Sequence, residues 1–276
     1  MTTTDRWTGG DDYERWIGRW SRPIGAAFVD WLGVAPGRRW LDVGCGTGAL
    51  SQAILERADP ARTIGIDPSD SFVEHARRQV VDPRVTFAVG SADGLPLEDG
   101  SADAIVAGLV LNFVPDLGAA LAEMGRVAAD GASVGGYVWD YAGRMELIRR
   151  FFDAAVSLDP AAASVDEGVR FPVCAPGPLR TAFVEAGFGD VEVRSIEVPT
   201  VFADFDDYWA PFLTGVGPAP GYAASLSLDR RDALRERLRA DLPTSPDGSI
   251  HLVARAWAVR GRATRSITSE PTRISR

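Results

Sequence analysis

The clearest pattern in the chain is an alternation of short apolar runs with longer segments at helical spacing. Residues 39–43, 63–67 and 85–89 are short apolar runs, the first ending in glycines. Residues 104–110 are continuously apolar, as expected of a strand buried on both faces. Between these runs, 49–57 and 69–80 carry helical patterns. From 117 to 129, Leu117, Ala120, Leu121, Met124 and Val127 recur on one helix face. Asp130 and Gly131 are read as the end of that helix, and 132–139 as the next strand. Strands alternating with helices predict an α/β fold with a doubly wound, mostly parallel sheet.

The second half is less regular. Residues 146–158 and 179–186 read as helices, the latter stopped by Gly187, and 229–241 as a charged helix. The alternation in 191–201 predicts a strand, and 250–259 a last strand able to pair antiparallel. Ahead of the first strand, 13–33 carry two short helical patterns. The second opens with Ser21 as N-cap and has Pro23 in the first turn, where a missing N–H is harmless. The expected organisation is an N-terminal helical lid (1–33), a ligand-binding core (34–140), the rest of the core with helical and aromatic cap insertions (141–260), and a disordered tail (261–276).

The chain has 276 residues, 46% of them hydrophobic, which excludes a wholly disordered protein. All 29 basic residues are Arg, and 38 acidic residues bring the net charge to −9. With no Arg run interleaved with aromatics, no nucleic-acid partner is expected. Cys45 and Cys174 form no CxxC pair, and the histidines, His75 and His251, are far apart, so no disulfide framework and no metal site are expected. Residues 1–10 lack an apolar signal core, and no stretch reaches 18 apolar residues, so a cytoplasmic protein with no membrane partner is expected. Both a monomer and a homodimer remain open.

Candidate chemistry concentrates in Leu41-Asp42-Val43-Gly44-Cys45-Gly46-Thr47-Gly48. Glycines at a strand-to-helix turn let a ligand approach the backbone, and the free N–H groups of the helix start face it. A nicotinamide-dependent oxidoreductase uses a similar turn and is the alternative reading. Three carboxylates sharpen the motif, and two of them, Asp42 and Asp93, argue against that alternative. Asp42 stands two residues before the first glycine, where dinucleotide folds usually have an apolar residue. Asp67 ends the second strand, where it can accept two ribose hydroxyls. Asp93 follows the third strand, where it can accept an exocyclic amine of adenine.

These motifs resemble the class I methyltransferases that use S-adenosylmethionine, within them the small-molecule branch that includes quinone-biosynthesis C-methyltransferases. The matching segments are LDVGCGTG (41–48), IGIDPS (64–69), GSADGLPL (90–97), DAIVAGLVLNFVPD (103–116) and LAEMGRVAADGASVGGYVWD (121–140). The resemblance implies a Rossmann-like, seven-stranded sheet with helical lid insertions, S-adenosyl-L-methionine as cofactor and a small-molecule substrate. It further implies that Asp42 and the backbone of Gly44, Cys45 and Gly46 hold the methionine part. Asp67 would bind the ribose beside Pro68, Ala92 and Asp93 would read adenine, and Leu109 would touch the methionine part. Arg22 is the expected partner of the methionine carboxylate, from a lid that also carries Tyr13.

Methyl transfer is an in-line displacement, so alignment and exclusion of water are the protein's main tasks. Relatives often carry a histidine base after the fourth strand. Here Asn112 and Phe113 stand there, and no catalytic base is identified. Asp140 and Tyr141, just after the fifth strand, are the nearest polar candidates. The expected acceptor site draws on Tyr13, Asn112, Trp139, Tyr141 and Trp209, with the aromatics of 202–212 and Phe151 and Phe152 as a roof. Such a site suits an O or C acceptor on an aromatic or polyketide-like compound. A protein of this fold without methyl-transfer activity is a further alternative.

Overall fold

The computed structural model describes residues 18–215 and 217–264. Its strands are β1 (Arg39–Val43), β2 (Arg62–Asp67), β3 (Val85–Val89), β4 (Ala102–Gly108), β5 (Ala128–Trp139), β6 (Gly189–Phe202) and β7 (Ile250–Arg262). They form one sheet in the order β3-β2-β1-β4-β5-β7-β6. β3 to β5 are parallel, and β7 runs antiparallel between β5 and β6. The chain builds outward from β1 to one side and then returns to build the other. The crevice above the adjacent ends of β1 and β4 is therefore the topological switch point, where sheets of this kind bind ligands.

The flanking helices that matter for the site are α1 (Arg19–Leu32), α2 (Ala49–Arg57), α3 (Asp70–Gln79) and α4 (Leu117–Val127). The side chain of Ser69 caps α3 by accepting from Phe72 N–H, and Asp116 caps α4 through Ala119 N–H. α1 packs on the sheet through Ile24 and Phe28, both fully buried, each contributing roughly 1.5–3 kcal/mol of apolar burial. One hydrophobic core runs from α1 through β5 to β7 and includes residues on both sides of position 140.

Four sequence expectations are corrected. Ser21 does not cap a helix. α1 already begins at Arg19, and the Ser21 hydroxyl donates to Gly18 O at 3.0 Å. Pro23 likewise does not stand in a first turn: it is the fifth residue of α1, inside the helix. Asp130-Gly131 does not separate α4 from β5. Ala128 already pairs with Ala102, and Gly131, at φ +70°, sits in a bulge fastened to the end of β7 by Gly131 N to Ala263 O and Ala263 N to Ala132 O, both 2.9 Å. Gly261 and Arg262 pair with β5, and these bonds tie Ala263 to it, so none of the three belongs to a disordered tail; 265–276 lie outside the described residues. His75, on α3, is 7% exposed. Among the described residues, no helix is long and apolar enough to cross a membrane, and no cluster of side chains could hold a metal ion.

Candidate functional site

The glycine turn after β1 is fastened to the end of β2. Gly44 N–H and Cys45 N–H both donate to Ile66 O, at 2.7 and 3.0 Å, and Gly48 N–H closes the turn on Cys45 O at 2.9 Å. Gly44, at φ +69°, has no room for a side chain, since a Cβ would stand 2.5 Å from Val110 Cγ2. At Gly46, φ +52°, the reverse holds: a Cβ would meet nothing within 4 Å and would stand in open space.

That space belongs to a cavity of about 310 Å³ at the carboxyl ends of β1, β2 and β4. The size lies in the range of small-molecule sites. Asp67 lies in its wall, held by Gly46 N–H to Oδ2 at 3.0 Å and Ser69 N–H to Oδ1 at 2.9 Å. Two neutral donors fix the carboxylate and leave it lone pairs for a ligand. Burial pushes its pKa above the ordinary carboxylate range, against the pull of those N–H groups. Cys45 is pushed up further, by burial first and then by Asp42 and Asp67, so its buried sulfur stays a thiol.

The cavity wall brings together many of the expected residues: Gly44, Cys45, Gly46, Asp67, Pro68, Ala92 and Leu109. Leu109 adopts φ +59°, rare for a leucine, and its N–H donates to Tyr137 O at 2.8 Å. Such strained backbone clusters at functional sites.

Other expected residues stand elsewhere. Asp42 is 1% exposed and behind the wall. Ser51 Oγ donates to its Oδ2 at 2.7 Å, and its Oδ1 has no partner. Burial, opposed by the Ser51 bond and reinforced by Asp67, pushes its pKa up to about 7. Asp93 is exposed and accepts from Ser91 Oγ, outside the wall. Arg22 is exposed on α1, also outside it. Tyr13 lies outside the described residues.

The acceptor-side expectations need the most correction. Trp139 is 2% exposed and part of the core. Tyr141 is one ring removed from the cavity: it packs on Phe171, which packs edge-on against the wall residue Phe113 at 5.1 Å. Trp209 lies in the main hydrophobic core with Phe205 and Phe212, where Phe151 stacks on Phe212 at 4.4 Å and Tyr208 donates to Leu147 O. These aromatics pack against one another instead of roofing the cavity. Asp140 is bound by Arg255, as detailed below. His251 is exposed at the start of β7 beside Ser249. Asn112 lies next to the wall, with both amide atoms buried and without a hydrogen-bond partner among the described residues.

Sequence reasoning missed Ser21, Ser69, Phe72, Phe113 and Tyr137, all in the wall. Ser69 and Phe113 lay inside quoted motifs. Tyr137 carried no local signal, because its place depends on pairing between strands.

Known proteins resemble parts of this chain. Residues 41–134 match a family described as a methyltransferase domain. A 37.1 kDa transposon-encoded protein of Streptomyces fradiae is 35% identical over 188 residues, covering 67% of this chain and 52% of that protein. A demethylmenaquinone methyltransferase of Staphylococcus aureus is 37% identical over 105 residues, covering 37% of this chain and 44% of that protein. The chain thus spans about half the length of the curated relatives it matches. The structure of Haemonchus contortus phosphoethanolamine N-methyltransferase 2 in complex with S-adenosyl-L-methionine superposes with a TM-score of 0.59 at 17% identity, covering 93% of this chain and 57% of that one. With its motifs in order on a seven-stranded sheet, the segment 41–134 is a methyltransferase domain, similar to the class I S-adenosylmethionine-dependent methyltransferases.

Proposed function

We propose that the protein transfers a methyl group from S-adenosylmethionine to a small molecule, at an O or C atom of an aromatic or polyketide-like compound. The observation that carries this reading is Asp67, a buried carboxylate in the cavity wall held by backbone N–H groups and by no cation among the described residues, beside a glycine turn open to a ligand. The residues fit the cofactor. Asp67 would accept the ribose hydroxyls, Pro68 and Ala92 would border adenine, and the backbone of Gly44 to Gly46 would run beside the methionine part.

The cofactor supplies a methyl group already activated on a sulfonium sulfur. What remains for the chain is alignment, worth roughly 7–11 kcal/mol of barrier, and exclusion of water. Leu109, Val110, Phe113, Val114 and Pro115 make an apolar wall on the β4 side, which serves the second task. Among the described residues in the wall none is a histidine, and burial keeps Cys45 protonated. An acceptor that ionises with modest help, a phenol or an enolisable carbon, suits such a wall better than a sugar hydroxyl. The similarity to a demethylmenaquinone methyltransferase supports a ring-bearing acceptor.

The test is a screen of phenols, enolisable ring compounds and sugar alcohols with labelled S-adenosylmethionine. Methyl transfer to the first two classes is expected. Transfer only to sugar alcohols would overturn the acceptor class, and absence of cofactor binding by calorimetry would overturn the whole reading.

A further inference from the structure

We infer that the Tyr137 hydroxyl anchors the amino-acid end of the cofactor. This rests on the S-adenosylmethionine reading above and adds a residue to it. Tyr137 lies on β5 directly opposite Gly108 on β4. Its side chain is 3% exposed, yet the residue belongs to the cavity wall together with Ser21 and Gly108.

The glycines on either side explain how it reaches the wall. A Cβ at Gly108 would stand 2.7 Å from Tyr137 Oη and 2.9 Å from Cζ, and one at Gly25 would stand 3.2 Å from Oη. The ring therefore leans from β5 across the end of β4 toward α1, through space that only glycine leaves open. Phe28 packs against the ring with centroids 4.8 Å apart. Three elements thus set the position of one hydroxyl, at the edge of an otherwise apolar stretch of wall.

The order of the strands gives the hydroxyl its role. Asp67 ends β2, and Ser91 and Ala92, beyond β3, form the wall on its far side. With ribose on Asp67 and adenine toward β3, the rest of the cofactor runs the other way, over the glycine turn of β1 toward β4. Neighbouring strands are about 4.8 Å apart, so a hydroxyl over β4 lies roughly 10 Å from the end of β2. A phenol there can donate to a carboxylate or accept from an ammonium, the two charged groups of an amino acid.

Calorimetry with two ligands tests this. S-Adenosylhomocysteine has the amino-acid end; 5′-methylthioadenosine shares the nucleoside and thioether but lacks it. Tyr137→Phe is expected to weaken S-adenosylhomocysteine about tenfold or more, as for a hydrogen bond to a charged group, and to leave methylthioadenosine unchanged. Asp67→Ala is expected to weaken both. Unchanged S-adenosylhomocysteine affinity in Tyr137→Phe would overturn the assignment, and so would an equal loss for both ligands. If the unmutated protein bound neither ligand, the cofactor reading itself would fall.

Discussion

Asp67 and Asp140 occupy equivalent places, at the carboxyl ends of β2 and β5, and both are buried, at 7% and 5% exposure. Their surroundings differ in one respect. Asp140 is bound by Arg255, through Nε at 2.7 Å and Nη2 at 2.6 Å, and also accepts from Arg144 N–H at 2.7 Å. Glu197 extends the network to Arg144 and Arg255. Among the described residues, Asp67 has two backbone N–H groups and no cation. A carboxylate matched by a cation is finished as a piece of structure. One held by neutral donors in a cavity wall retains bonding capacity for a ligand. Both read as site candidates in sequence, because the arginine that decides the matter lies 115 residues beyond Asp140.

The largest expected effect concerns a third carboxylate, which among the described residues has neither a cation nor a place in the wall. Asp42 has its pKa raised from 3.8 to about 7, so the folded state holds that proton more tightly than the unfolded chain. Its contribution to stability is full below 3.8 and is lost as pH rises through about 7. Between these values the slope should approach about 1.4 kcal/mol per pH unit, and Asp42→Asn should lack it in urea titrations run across that range. An identical pH dependence in the variant would remove Asp42 from the comparison.

Next comes the paired carboxylate. Arg255→Ala strands Asp140 without its cation and should destabilise the fold by roughly 3 kcal/mol. Replacing both by apolar residues of similar size should recover much of that loss in a double-mutant cycle. A cost below about 1 kcal/mol for the single change would mean the pair is a surface ornament.

The wall carboxylate should behave oppositely. Asp67→Ala should leave melting nearly unchanged but weaken S-adenosylmethionine, each lost charge-assisted hydrogen bond costing roughly 1.5–3 kcal/mol. Unchanged affinity by calorimetry in a folded variant would sink the ribose assignment. The smallest effect sharpens the contrast from outside. Arg19 pairs with Asp207 at 3.1 Å with both side chains over a third exposed. Arg19→Ala should cost under about 1 kcal/mol in denaturant unfolding.

The parallel half of the sheet was legible because its cues are local. Buried strands are short and apolar, and glycine turns and caps such as Ser69 and Asp116 act within a few residues. Much of the cavity wall was legible for the same reason, since Gly44 to Gly46, Asp67 and Pro68 lie on two adjacent strand ends. What escaped depends on distant partners. Trp209 looked like a pocket lining until Phe151, far back in the chain, was found to share its cluster through Phe212. Asp130-Gly131 has turn chemistry, but the end of β7 recruits it as a bulge. Tyr137 reaches the cavity only because Gly25 and Gly108, from two other elements, leave it space.

The insertion of β7 between β5 and β6 also orders the birth of the molecule. A ribosome delivers β6 well before β7, so β6 emerges with no neighbour on either edge, and β5 waits with one side open. Neither can be satisfied until the 13 residues of β7 have been made. During that interval the nascent chain exposes a long strand to other copies on the same message. Glu192, Arg194 and Glu197, together with Pro199, interrupt β6 with charges and a missing donor, the features that discourage strands from pairing with strangers. The polar teeth of β6 thus protect the growing chain as well as dress the edge of the finished sheet.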